Sequence, residues 1–377
     1  MMVSSILVGS VMMLCAVYDT VHCIFLMNPH FLLLFLLLVK YSDHCRNQTE
    51  CDRQIRQDVK ALLRYGFSSL KVDGCGNEID LHVWNKYIEQ YTTSNFTTNT
   101  TRRKILVENC HGPDPKFKPN RTLPPSEGCP YHFYRTSTDI RNNYPSIMHN
   151  LGTIESYRKS NSSYPGCWAY ADMLQVGVRD GLSLAETRSH FGGWSIVSSP
   201  LILSHDVNDD SIMDKIWDII SNREVLEINQ AYFGDSGGTY NVANETIVLQ
   251  HDKYKSEVPV YQYLSKPIGL NVVAVLLMNS DDTERMLRTS FDDIPGLADG
   301  TSSVHDNGND NNNDNNDDEY YLVRDMWNHR DMGAFQSSVT MSVGSHDAAF
   351  LLIEKRKGTV SAIAKDAVSN SLMVLMN

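Results

Sequence analysis

The chain has 377 residues, 42% of them hydrophobic, which is enough to bury a substantial core and excludes a miniprotein held together by disulfides. Its 33 Lys and Arg against 45 Asp and Glu give a formal charge of -12, and no basic block of five or more occurs, so a nucleic-acid partner or an anionic lipid surface has no support. Six of the acids fall between His305 and Glu319, the rest of the chain is only mildly acidic, and a polar partner such as a sugar fits better.

The first 39 residues contain no Lys or Arg and carry two apolar blocks, Ile6 to Tyr18 and Phe31 to Val39. Each block is too short for a bilayer, which takes roughly 20 residues. Residues 1–45 therefore read as an apolar leader, a secretory signal or anchor, the alternative being a mispredicted stretch that is not native structure, and membrane contact is expected only through it. N-x-[ST] sequons stand at Asn47, Asn95, Asn99, Asn120, Asn161 and Asn244. With Cys15 and Cys23 of the apolar blocks set aside, Cys45, Cys51, Cys75, Cys110, Cys129 and Cys167 remain, an even set whose pairing the spacing alone does not choose. No C-x-x-C occurs, which argues against a zinc ribbon or a thioredoxin motif. The combination suits the secretory pathway, extracellular or lysosome/vacuole-like.

From Asp52 onward helical and strand patterns alternate. Ile55, Val59, Leu62 and Leu63 recur at helical spacing and Gly66 follows as a stop. Strand-like runs come next at Ser69 to Asp73, Lys104 to Cys110, His132 to Asp139, Cys167 to Met173 and Ile196 to His205, with helical segments at Ser146 to Ser160, Ser183 to Trp194 and Ser211 to Ser221. Alternation of this kind predicts βα units around a parallel sheet, with chemistry beyond the carboxyl ends of its strands. The barrel-like part is placed at 52–238. After Gly238 short strand patterns follow one another, at Ile247 to Leu249, Val258 to Leu264, Val272 to Met278, Tyr320 to Val323, Ser338 to Val343 and Ala349 to Ile353. These predict an all-β sandwich at 239–357, interrupted by an Asn/Asp-rich insert at 305–319 that cannot build a core and followed by a tail at 358–377.

Three carboxylates stand at strand ends. Asp73 precedes Gly-Cys-Gly, which leaves backbone room for a ligand, and Lys71 projects from the same face to keep the acid ionised as a nucleophile requires. The alternative for Asp73 is a cap on the next helix. Asp139 ends another strand, four residues after Arg135. Asp73 and Asp139 across one barrel mouth would supply the two carboxylates that glycosidic cleavage needs, one attacking the anomeric carbon and one protonating the leaving oxygen. Asp172, four residues after Trp168, fits a hydroxyl-binding acid beside an aromatic platform, or equally a buried acid bonded to backbone amides.

LKVDGCG (70–76), YRTSTDI (134–140), PGCWAYADMLQVG (165–177), SHFGGWSIVSSPLILSHDV (189–207) and INQAYFGDSGG (228–238) resemble the ordered motif series of the α-galactosidase (melibiase) glycoside hydrolases. VRDMWNHRDMGAF (323–335) is similar to part of the C-terminal β-sandwich of the same family. The resemblance implies a retaining hydrolase on a (β/α)8 TIM-type barrel, with Asp73 as nucleophile and Asp139 as acid/base. It also implies that Lys71 and Arg135 bind substrate hydroxyls, that Trp168 and Asp172 line the glycone pocket, and that Cys110 and Cys129 form a disulfide. Ala171 stands where the family usually has Pro, and His111 where an acidic residue often helps separate galactose from N-acetylgalactosamine.

A closed barrel of this type takes about 250 residues, whereas the strand series here begins at the family's fourth strand and shows only five strands between Ile55 and Ser236. The expected fold is thus α/β: a partial (β/α)8 barrel lacking its first strands, followed by an all-β sandwich. Open strand edges favour pairing with another chain, so a homodimer is an expected assembly. The function implied is cleavage of terminal α-galactosyl residues from a saccharide substrate. The alternatives are a non-catalytic carbohydrate-binding chain or truncated fragment, or an α-N-acetylgalactosaminidase or β-L-arabinopyranosidase specificity.

Overall fold

The structure is a computed structural model, and it describes residues 3–8, 11–18, 20–26, 36–39, 47–73, 80–93, 105–110, 128–178, 181–297 and 318–358. Contacts divide the chain into two compact units, one of residues 1–140, 152–179 and 200–215, the other of residues 141–151, 180–199 and 216–377.

The first unit is built on an eight-stranded sheet in the order β1 to β8. The strands are β1 (Val3–Val8), β2 (Val11–Tyr18), β3 (Thr20–Leu26), β4 (Leu36–Val39), β5 (Ser69–Val72), β6 (Leu106–Asn109), β7 (Phe133–Arg135) and β8 (Trp168–Tyr170). β1 to β4 pair antiparallel, and β4 to β8 are parallel. β4 is the strand that pairs with β5, and β1 to β3 continue the sheet beyond it. The expected strand at Ile196 to His205 is largely absent. Helix takes its first residue, Ser198 turns at a φ of 57°, Pro200 has no N–H for a ladder, and a single parallel bridge from Leu203 to Leu174 remains.

The helix α1 (Gln48–Tyr65) packs beside α2 (Leu81–Thr93). At its start Asn47 takes extended backbone and its side chain accepts from the Glu50 N–H at 3.0 Å. At its end Gly66, with φ 84°, returns its N–H to the carbonyls of Leu62 and Leu63. Ile55, Val59 and Leu62 on one stripe are fully buried. The helices α3 (Tyr144–Lys159) and α5 (Asp210–Ile220) each run from one unit's residues into the other's.

The second unit is a β-sandwich. Its six-stranded antiparallel sheet has the order β16-β15-β18-β13-β12-β9, comprising β9 (Gly238–Val242), β12 (Tyr261–Gly269), β13 (Val272–Asn279), β15 (Asp318–Asp325), β16 (Arg330–Phe335) and β18 (Ala348–Gly358). Two further pairs complete it, β10 (Thr246–His251) with β11 (Tyr254–Pro259) and β14 (Arg285–Ser290) with β17 (Ser338–Val343). Val273, Val275 and Leu277 of β13 join Leu287 of β14, Val339 and Val343 of β17 and Leu351 and Ile353 of β18 in one core. The other face of the sheet meets α4 (Leu184–Ile196), where Gly192 lets the helix approach Leu276. β13 is therefore buried on both faces, which is why it reads as a continuous apolar run and not as an alternation.

The start of α4 carries a full capping box. Ser183 accepts from the Glu186 N–H, and the Glu186 carboxylate accepts from the Ser183 N–H. The helix α6 (Arg223–Gln230) ends on Lys266, a fully buried ammonium that donates to the carbonyls of Ile228 at 2.6 Å and Asn229 at 3.1 Å. Burial presses the Lys266 pKa down to about 7, against the pull of Asp235.

Candidate active site

Neighbouring parallel strands in register place residues of one level side by side, with side chains on a common face. Lys71 of β5 is opposite Glu108 of β6, Glu108 is opposite Phe133 of β7, and Phe133 is opposite Trp168 of β8. Two residues further toward the carboxyl ends the same face continues with Asp73, Cys110, Arg135 and Tyr170. Arg135 and Tyr170 are themselves register partners. Asp139 and Asp172 follow beyond the ends of β7 and β8.

Arg135 ties two of the predicted acids together. Its Nη2 sits 2.7 Å from Asp172 Oδ2 and 3.2 Å from Asp139 Oδ1, and it also donates to the Ser137 carbonyl. The Arg135 and Asp172 side chains are almost completely buried, while Asp139 is 80% exposed. A buried guanidinium therefore holds a solvent-facing carboxylate in place. Burial works to lower the Arg135 pKa, and Asp172, Cys110 and Asp139 together outweigh it, so the guanidinium stays charged.

Asp172 is fixed from three directions. Besides Arg135, Oδ2 accepts from the Ile140 N–H and Oδ1 from the Met173 N–H, each at 2.8 Å. Its φ of 93° lies in a region that side-chain-bearing residues rarely adopt, and these bonds keep it there. Of the two readings the sequence left open, the acid bonded to backbone amides is realised, with an ion pair added.

Lys71 lies 3.8 Å from Glu108 Oε1, with side-chain exposures of 11% and 2%. Burial drives the Glu108 carboxyl up to about 7, with the Lys71 and Arg135 charges opposing it and Asp172 and Asp73 adding to it. For Lys71, burial lowers the pKa and Glu108, with Cys110 behind it, reverses the sign, leaving the ammonium above its ordinary value. Asp73 is half-buried at the end of β5, close enough for its charge to raise both Glu108 and Cys110. Cys110 is a free thiol pushed by burial up to about 11, so it is held as a thiol.

Lys71, Asp73, Arg135, Asp139, Trp168 and Asp172 thus all belong to one face or its rim, with direct contacts joining Arg135, Asp139 and Asp172. Trp168 is half-buried on the level of Lys71. His111 lies outside the described residues. The expected disulfide between Cys110 and Cys129 is corrected: Cys129 pairs with Cys167, at a Cα separation of 6.1 Å. The physical reason is the polarity of the strands. Cys110 follows the carboxyl end of β6, whereas Cys129 and Cys167 precede the amino ends of the adjacent strands β7 and β8. Glu108 was missed as a site residue. Its signal was a lone acid directly after the apolar run Ile105 to Val107, two residues before Cys110 and hence on the same face.

The chain matches the family described as "Alpha galactosidase A" over residues 41–231, more than half its length, and "Alpha galactosidase C-terminal beta sandwich domain" over residues 260–353. It is 27% identical over 332 residues to an alpha-galactosidase of Cyamopsis tetragonoloba, covering 85% of this chain and 67% of that protein. It is 27% identical over 297 residues to an alpha-galactosidase of Oryza sativa subsp. japonica, covering 79% and 59%. The solved alpha-galactosidase of Saccharomyces cerevisiae with raffinose shares the fold at a TM-score of 0.59 and 16% identity, covering 81% of this chain and 76% of that one. The chain therefore spans about three fifths to two thirds of the length of these two sequence relatives. A parallel sheet carrying acids at its carboxyl edge, an antiparallel sandwich after it, and both family matches in order establish that the chain belongs to the alpha-galactosidase (melibiase) family.

Proposed function

We propose that the protein removes terminal α-D-galactosyl residues from oligosaccharides or glycoconjugates by double displacement, with retention of configuration. The observation that carries this reading is the common face of β5 to β8, on which Asp73 and Asp139 stand two strands apart with Arg135 anchoring the second. Two strand spacings amount to about 10 Å of backbone, leaving room for one sugar ring between the side chains.

In the first step the Asp73 carboxylate attacks the anomeric carbon as the glycosidic bond breaks, and Asp139 gives its proton to the leaving oxygen. The product is a β-linked galactosyl ester on Asp73. In the second step Asp139, now a carboxylate, takes a proton from water. That water displaces Asp73, and α-galactose leaves. Exposure of Asp139 allows it to exchange protons with solvent, and its tether to Arg135 limits where it can point. Lys71 and Arg135 serve as donors to sugar hydroxyls, Trp168 offers an apolar face to the ring, and Asp172 holds Arg135 in register. His111, which stands in sequence where the family often has an acidic residue, is the residue proposed to bear on the choice between galactose and N-acetylgalactosamine. The mechanism uses no metal or cofactor. A bond between Cys129 and Cys167 suits an oxidising compartment, in line with a secreted or vacuole-like location.

A chromogenic α-galactoside tests the assignment. Turnover is expected, with α-galactose as the first product by proton NMR, and Asp73→Asn is expected to lose activity roughly a thousandfold or more. Wild-type turnover no higher than that of Asp73→Asn would overturn it in favour of a carbohydrate-binding chain without catalysis.

A further inference from the structure

Glu108 has no part in the double displacement, yet it is the most buried acid on the catalytic face. Its register partner is Lys71, one level deeper than Asp73 and Arg135, and its Oε1 lies 3.8 Å from the Lys71 ammonium. The charged and titratable groups facing it are Lys71 and Asp73 from β5, Cys110 from its own strand, Arg135 from β7, and Tyr170 and Asp172 from β8. Asp172 already has Arg135 and two backbone amides. Lys71 is thus the cation left to answer Glu108, and the ammonium has two destinations: the carboxylate on the floor, or a hydroxyl at the mouth.

We propose that Glu108 is a positioning residue for Lys71: ionised, it draws the ammonium to the floor of the site, and protonated, it releases Lys71 to a sugar hydroxyl. The inference rests on the glycosidase reading for its second half only. The step is a proton exchanged with solvent at the Glu108 carboxyl, and no covalent bond changes. A carboxyl that burial brings up to about 7 makes this exchange fall within the ordinary working range. Galactose binding is accordingly tighter on the acidic side, and this pH dependence disappears when the carboxyl cannot ionise.

The test uses the full chain labelled with 13C-lysine, the Lys71 side-chain resonance being assigned by its loss in Lys71→Met. Between pH 5.5 and 8 that resonance is expected to move with a midpoint near 7 in the wild type and to stay still in Glu108→Gln. Galactose affinity, read by calorimetry, is expected to weaken about tenfold over the same interval in the wild type, as one linked proton requires, and to stay flat in Glu108→Gln. A Lys71 resonance without this step, or a step that persists in Glu108→Gln, would overturn the proposal. A wild type that binds no galactose at any pH but shows the Lys71 step would sink the glycosidase reading and leave the coupling of Glu108 to Lys71 supported.

Discussion

Arg135 decides the charge balance at the mouth of the site. It contacts two carboxylates from a position that water does not reach, and one of them, Asp172, is as buried as it is. Replacing it with Gln removes the cation that pairs with the buried Asp172 carboxyl. Arg135→Gln is expected to lower the unfolding free energy by about 3 kcal/mol in urea titration, and to free Asp139, so that kcat falls together with any weakening of KM. A loss confined to KM would contradict the role given to Asp139. Glu108 makes a second, independent statement. Its carboxyl is raised from 4.5 to about 7 on folding, so the folded state binds more protons than the unfolded one between those values. Its contribution to stability is complete below about pH 4.5 and disappears as pH rises through about 7. The wild type should lose melting temperature across that window relative to Glu108→Gln, and parallel curves would contradict the shift.

Elements were legible where one local signal dominated. The α1 stripe of Ile55, Val59 and Leu62 and its stop at Gly66 were evident, because amphipathic spacing and a left-handed cap agree. β5 to β8 were likewise readable, since each ends in a polar cluster after a short apolar run. β14 and β16 escaped, because polar residues such as Arg285, Arg288, Arg330 and Asp331 cover exposed faces and little apolar pattern remains. Val258 to Leu264 was read as one strand and is two, β11 ending at Pro259 and β12 beginning at Tyr261. Lys266 could not be read at all, because a lysine buried against helix carbonyls has no sequence signature. The run Gly234 to Gly238 was seen as a change of texture, and the structure gives the cause. Gly237 has φ 86°, and a Cβ there would stand 1.9 Å from the Ile196 carbonyl oxygen. Gly237→Ala is expected to cost about 2 kcal/mol or more, seen as a lower urea midpoint, whereas Ala at the open left-handed site Gly234 should cost less. Equal losses at the two positions would show that close approach plays no part.

For the molecule as a whole, the acidic balance is expected to keep it off nucleic acid and anionic lipid. The disulfide closes a loop with a sequence separation of 38 across the starts of β7 and β8, the strands that lead to Arg135 and Trp168. Removing it by Cys129→Ser is expected to cost about 3 to 4 kcal/mol through the entropy of the unfolded chain, and mass mapping of the oxidised protein should recover Cys129 joined to Cys167. A peptide joining Cys110 to Cys129 would restore the pairing implied by family resemblance. The account as a whole turns on a covalent galactosyl bond to Asp73. Mass spectrometry after exposure to an activated fluorinated galactosyl donor, which forms the ester quickly and releases it slowly, measures that bond directly. One sugar on the peptide that contains Asp73, absent in Asp73→Asn, is the predicted result, and an unmodified chain or a label on another residue would contradict it.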